Sequence, residues 1–167
     1  MLEIVKYPDP LLRKQSEKVL TYNANLLELL EEMTDTMYIA DGVGLAAPQI
    51  GVSKQIIVLD AGDGPMVLIN PVVTVPEDTA YAAIEEGCLS LPDIRVDVTR
   101  PSRIHLAARD EKGNPLSFDA DGLLARVIQH EQDHLNGVLI IDYLSSIQRQ
   151  LLRSKLRSLE KLYSGAV

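Results

Sequence analysis

With one cysteine in 167 residues, the chain excludes any disulfide within itself, so packing must hold the fold and the Cys88 thiol is left free for chemistry. An unpaired thiol suits a reducing compartment. The sequence also lacks any run near the roughly 18 uninterrupted apolar residues that a membrane span needs. The opening stretch Met1-Leu2-Glu3-Ile4-Val5-Lys6 lacks the charged-then-apolar design of a signal peptide, so the expected location is the cytoplasm. Positive charge is scarce: 16 Lys and Arg against 24 Asp and Glu leave a net charge of −8. That balance argues against a nucleic-acid surface covering the whole molecule, and no DNA or membrane partner is expected. No internal repeat, low-complexity segment or linker interrupts the sequence. The expectation is one domain over residues 1–167.

Apolar residues at Leu26, Leu30, Met33 and Met37 recur with helical spacing between Asn23 and Ala40. Asn23 or Asn25 can cap this helix, and Gly42 is placed for a left-handed turn beyond its end. From Gln55 to Phe118 the pattern changes to short β-branched runs, including Ile56–Leu59, Val67–Ile69, Val72–Val75 and Ile104–Leu106. Asp110-Glu111-Lys112-Gly113-Asn114 reads as a hairpin connection to a strand at Leu116–Phe118. Helical spacing returns from about Asp121 to Asn136, with Gly137 as the stop, and again from Ser145 to Tyr163 through Ile147, Leu151, Leu152, Leu156 and Leu159. Strands grouped between helices predict an α+β fold, with antiparallel or mixed sheets around a central helix and with N-terminal and C-terminal helices. The last helix holds Arg149, Arg153, Lys155, Arg157 and Lys161 against Glu160 alone, a local basic face on an acidic chain.

His130-Glu131-Gln132-Asp133-His134 is the strongest chemical signal. Histidines at i and i+4 project from one helix face and can hold one metal ion, and two of the three histidines in the chain fall in this pattern. A catalytic metal typically has three protein ligands and one open position. Downstream of His134 the only acids are Asp142, which is too near, and Glu160, in the basic helix. Upstream, Cys88 is the sole soft donor, although a lone cysteine is more often a small buried apolar residue. Glu131, next to His130, points near the open position, where it can take a proton from water and pass it to a leaving amine. His105, in a strand, reads as structural.

Gly42-Val43-Gly44-Leu45-Ala46-Ala47-Pro48-Gln49, Glu86-Gly87-Cys88-Leu89-Ser90 and Gln129-His130-Glu131-Gln132-Asp133-His134 resemble, in order, the three signature motifs of the bacterial peptide deformylases. Asn70-Pro71 and Arg100-Pro101 also sit where that family has them, and the likeness runs from Tyr7-Pro8-Asp9-Pro10-Leu11-Leu12 into the last helix. The resemblance implies hydrolytic removal of the formyl group from the N-terminal formyl-methionine of new polypeptides, with water activated on the metal attacking the formyl carbon. It implies Cys88, His130 and His134 as ligands of ferrous iron in the cell, with zinc, nickel or cobalt able to replace it. Gln49 and the backbone N–H of Leu89 resemble the family's donors to the developing oxyanion. The segment Gly42, Val43 and Gly44 would pair with the substrate backbone beside Gly87, and Leu123 and Val127, with Val43 and Ile84, would line a methionine pocket. Arg126 stands where some members carry an apolar residue. Asp133 either orients a ligand histidine, pairs with Arg100, or faces solvent. The family's last helix can dock on the ribosome, and the basic face here is compatible with that. The motif alone leaves two other readings open: an endopeptidase of the HExxH type, and a non-catalytic, metal-stabilised ribosome-binding module.

Overall fold

The computed structural model describes residues 2–164, so residue 1 and residues 165–167 of the expected domain lie outside it. A 3-10 turn at Pro10–Arg13 leads to helix α1, Ala24–Ile39, whose first turn is capped by Asn23 accepting from the Leu26 N–H. Strand β1, Gly44–Ala46, and a 3-10 turn at Ala47–Ile50 follow. Next come β2 (Ile56–Leu59), β3 (Met66–Thr74), β4 (Tyr81–Cys88), β5 (Leu91–Pro101), β6 (Arg103–Arg109) and β7 (Pro115–Asp121). Helix α2 spans Gly122–Leu135 and, after a 3-10 turn at Ile140–Tyr143, α3 spans Ser146–Tyr163. None of the described helices is long and apolar enough to cross a membrane.

The strands form two separate sheets, a five-stranded one ordered β1-β2-β3-β6-β7 and a ribbon of β4 with β5. All these pairings are antiparallel; among the described residues the one parallel contact is an isolated bridge between Glu17 and Lys54. The mixed alternative for the sheets is therefore set aside. Alternation explains why β2 is buried throughout. Ile57 and Leu59 pack towards Val127 and Ile128 of α2, while Ile56 and Val58 pack towards Met33 and Met37 of α1. Each such side chain contributes about 1.5–3 kcal/mol relative to exposure. The ribbon is covered on one face only, where Ile94, Val96 and Val98 meet Leu139, Ile140 and Leu156.

Three details differ from the sequence expectations. Val67–Ile69 and Val72–Val75 belong largely to one strand, β3, which continues through a bulge at Asn70-Pro71; Pro71 has no N–H for the ladder, and Asn70, at φ 53°, binds the Val19 backbone through its side chain instead. The left-handed residue after α1 is Asp41, φ 57°, and not Gly42, because Asp tolerates that conformation better than most side chains. Of the apolar stripe on α3, Leu156 and Leu159 are buried, but Ile147 and Leu151 are exposed, since the helix touches the body mainly through its later turns.

Helix α2 ends at Leu135, just before the expected stop, Gly137, which takes φ 72°. A Cβ there would lie 2.5 Å from the carbonyl oxygen of Arg13, whose guanidinium grips Asp142 and the Gly137 carbonyl from the other side. Gly137→Ala is expected to cost about 1–3 kcal/mol from the left-handed backbone, with the close contact added to it. A fall in the urea midpoint of unfolding checks this; an unchanged midpoint would overturn it.

Candidate metal centre

Nine of the 14 residues of α2 are buried, so its polar side chains must find partners inside the protein. His130 and His134 stack edge to face with ring centroids 5.1 Å apart. Cys88 reaches them from the end of β4, where the pairing with β5 slips after Gly87 and swings the thiol out of register. Its Sγ lies 3.3 Å from His134 Nε2, and potential ligand atoms of Cys88, His130 and His134 all fall within 4.8 Å of one another. Among the described residues this is the only such grouping of His, Cys, Asp and Glu. His105 pairs instead with Asp119 on the sheet.

One thiol with two imidazoles is a donor set that suits a first-row divalent cation, and here the three residues converge with Cys88 Sγ facing His134 Nε2. His134 Nδ1 and Glu131 Oε1 are buried without a hydrogen-bond partner. Burial holds the pKa of His134 well below the ordinary histidine value, with the neighbouring His130 acting in the same direction. Burial acts the same way on His130, but the neighbouring Glu131 carboxyl group and hydrogen bonds to Cys88 and Glu86 outweigh it and raise its pKa. Glu131 is pushed up to about 7, chiefly by burial and against the pull of His130. A carboxyl group poised near neutrality can both accept and return a proton.

The residue that sequence reasoning passed over is Glu86. Its Oε1 accepts from His130 Nδ1 at 2.9 Å and from Arg100 Nη2 at 3.0 Å; its Oε2 accepts from Arg100 Nε at 2.7 Å and Arg126 Nη1 at 2.9 Å. Burial works against the charge, but these bonds prevail and hold its pKa at about 2. Asp133 takes the Arg100 alternative: it accepts from Arg100 Nη1 at 2.9 Å and from the Tyr143 hydroxyl at 2.6 Å, and the Tyr143 ring lies under the Arg100 guanidinium. A glutamate placed two positions before a cysteine carries no local mark of this role. The only hint was its place inside the second motif.

The candidate ligands Cys88 and His130 open on a cavity of about 510 Å³. Gly42, Val43 and Gly44 line it from β1 and the residues before it, Ile84 and Gly87 from β4, and Leu123 and Val127 from α2; Cys88, Leu89, His130 and Glu131 face it as well. Val43, Ile84 and Leu123 are each about half exposed, an apolar mouth that suits an apolar side chain. Gln49 is buried, and its amide donates to Ser90 Oγ at 3.2 Å and Cys88 Sγ at 3.7 Å while its oxygen accepts from the Ala46 N–H. Arg100, Asp133 and His134 lie behind the cavity wall and are not among its lining residues.

The sequence matches the family model for polypeptide deformylase over residues 1–150. It is 45% identical to a peptide deformylase of Thermotoga maritima over 162 residues, covering 96% of this chain and 98% of that one, and 50% identical over 142 residues to peptide deformylase 1 of Clostridium acetobutylicum, covering 85% and 93%. Among solved structures it resembles peptide deformylase 1B of Arabidopsis thaliana in complex with an inhibitor (TM-score 0.90, 40% identity, 98% and 92% covered). It also resembles a peptide deformylase from Legionella pneumophila (TM-score 0.89, 39% identity, 100% and 99% covered). On a match of this extent, carried by sequence and fold together, the chain belongs to the polypeptide deformylase family.

Proposed function

We propose that residues 1–167 act as one catalytic domain in the cytoplasm, removing the formyl group from formyl-methionyl nascent peptides with Cys88, His130 and His134 as metal ligands and Glu131 as proton carrier. The single observation that carries this reading is the meeting of the Cys88 thiol with the two histidines of α2 beside a buried carboxyl group at the floor of an open cavity. Ferrous iron is the cation we assign in the cell, with zinc, nickel or cobalt as alternatives that the same thiolate and imidazoles accept. Such a cation supplies Lewis acidity, lowering the pKa of water towards about 7 and polarising the formyl oxygen.

The chain's own groups account for the rest of the reaction. Glu131 removes a proton from the attacking water, and the water oxygen bonds to the formyl carbon. The Gln49 amide and the Leu89 backbone N–H donate to the formyl oxygen as it gains charge, a contribution of roughly 3 kcal/mol per well-placed donor. Glu131 then passes its proton to the amide nitrogen. The carbon–nitrogen bond breaks, and formate and a free amino terminus leave. Binding follows from topology: β1 is an edge strand of the five-stranded sheet, so its outer side can pair with the backbone of a peptide of any sequence, while the methionine side chain enters between Val43, Ile84, Leu123 and Val127. The extra Glu86–Arg100–Asp133 array supports the ligand His130 from behind. On α3, Arg153, Arg157 and Lys161 line one cradle, with Ile147 and Leu151 exposed nearer the helix start, which supports docking on the anionic ribosome surface.

Two substitutions separate holding the metal from using it. Cys88→Ala, purified without oxygen, is expected to lose most of its metal and with it formate release from a formyl-methionyl peptide; metal content and formate are measured on one sample, and a metal-loaded, fully active variant would overturn the assignment. Glu131→Gln is expected to keep its metal while kcat falls by roughly 10²–10⁴. Near-normal turnover in that variant would remove Glu131 from the reaction.

A further inference from the structure

Arg126 sits on α2 one turn before His130, where an apolar pocket residue would have served the cavity wall. Its surroundings are those of a built site. It is 9% exposed, and its guanidinium makes three hydrogen bonds to two different strands and one carboxylate: Nη1 to Glu86 Oε2 at 2.9 Å and to the Val98 carbonyl at 2.6 Å, and Nη2 to the Ala82 carbonyl at 2.9 Å. Ala82 belongs to β4 and Val98 to β5, so one side chain fastens both strands of the ribbon to the helix.

Both guanidiniums on Glu86 join the ribbon to α2, by different routes. Arg100 lies on β5, the ribbon partner of β4, and ties Glu86 to Asp133. Arg126 lies on the helix that carries His130 itself, which closes a ring: Arg126 to Glu86, Glu86 to His130 Nδ1, and one helical turn back to Arg126. A ring of this kind, spanning ribbon and helix, fixes the Glu86 carboxylate relative to the imidazole. We propose that Arg126 is a positioning residue for the metal centre, holding Glu86 on His130 so that the other ring nitrogen is aimed at the space shared with Cys88 Sγ and His134 Nε2. The proposal rests on the ligand set assigned above.

A purely structural Arg126 would stitch α2 to the ribbon and affect stability alone. The two roles separate by titrating Co2+ into metal-free protein and following the visible thiolate and ligand-field absorption of wild type, Arg126→Met, Arg126→Lys, Glu86→Gln and the Arg126→Met/Glu86→Gln pair, with urea unfolding of the metal-free forms alongside. Arg126→Met and Glu86→Gln are each expected to weaken Co2+ binding at least roughly tenfold and to change the ligand-field bands. The double variant is expected to bind no more weakly than Glu86→Gln alone, because the effect runs through Glu86. Arg126→Lys keeps a cation for Glu86 without reaching both carbonyls; it is expected to recover part of the affinity and serves if Arg126→Met does not fold. Wild-type affinity and spectrum in the Arg126 variants, however unstable they are, would overturn the proposal, as would effects of Arg126→Met and Glu86→Gln that simply add. Wild-type protein that takes up no Co2+ would be a distinct result and would overturn the ligand assignment beneath it.

Discussion

Glu86 brings a negative charge into the interior, where Arg100, Arg126 and His130 all converge on it. Such an array is weak evidence for stability, because removing charged groups from water consumes much of what their attraction returns. What it does supply is geometry. With both oxygens engaged and both arginines gripped elsewhere, by Asp133 on one side and by the Ala82 and Val98 carbonyls on the other, the carboxylate has one low-energy position. The His130 ring is then set by its Nδ1 bond, and α2 is set against the ribbon by the same contacts.

The division into two sheets makes this arrangement possible. The five-stranded sheet packs α2 on one face and α1 on the other, which fixes the helix with ordinary apolar contacts. The ribbon is a separate unit, and its slip at Gly87 and Cys88 turns a strand-end thiol toward the helix. A cysteine delivered from a second sheet could drift relative to histidines on a helix seated on the first. The Glu86 array, with Arg126 joining ribbon to helix, is what couples the two units at the point where the proposed ligands meet.

Legibility in the sequence followed the range of the interaction. The i, i+4 histidines, the Asn23 cap, the Gly137 stop and the hairpin at Asp110–Asn114 are local, and each was readable because a short segment contains its whole cause. Cys88 needed the motif around it to stand out as a candidate ligand, since nothing local tells a ligand thiol from a buried one. Glu86 and Arg126 were not readable as a pair. Charged residues in a strand and a helix look like solvent positions, and only the contact across 40 residues shows that neither is one. Exposed Ile147 and Leu151 misled in the opposite direction: helical spacing shows that a stripe exists, while burial depends on how far the rest of the protein reaches along it.

Gly44 shows how closely binding and chemistry are packed together. A Cβ at this position would lie 2.7 Å from Glu131 Oε2 and 2.8 Å from a methyl of Val127, so any side chain would push against both the proposed proton carrier and the proposed methionine pocket. The absence of a side chain lets an edge strand run directly over the carboxyl group, which contributes to the burial that raises Glu131 to about 7. In the proposed reaction a peptide paired along that edge would cover the same carboxyl group still further from water. Recognition of the main chain and the surroundings of the base would then be linked, because the strand proposed to pair with the substrate also runs against the Glu131 carboxyl group.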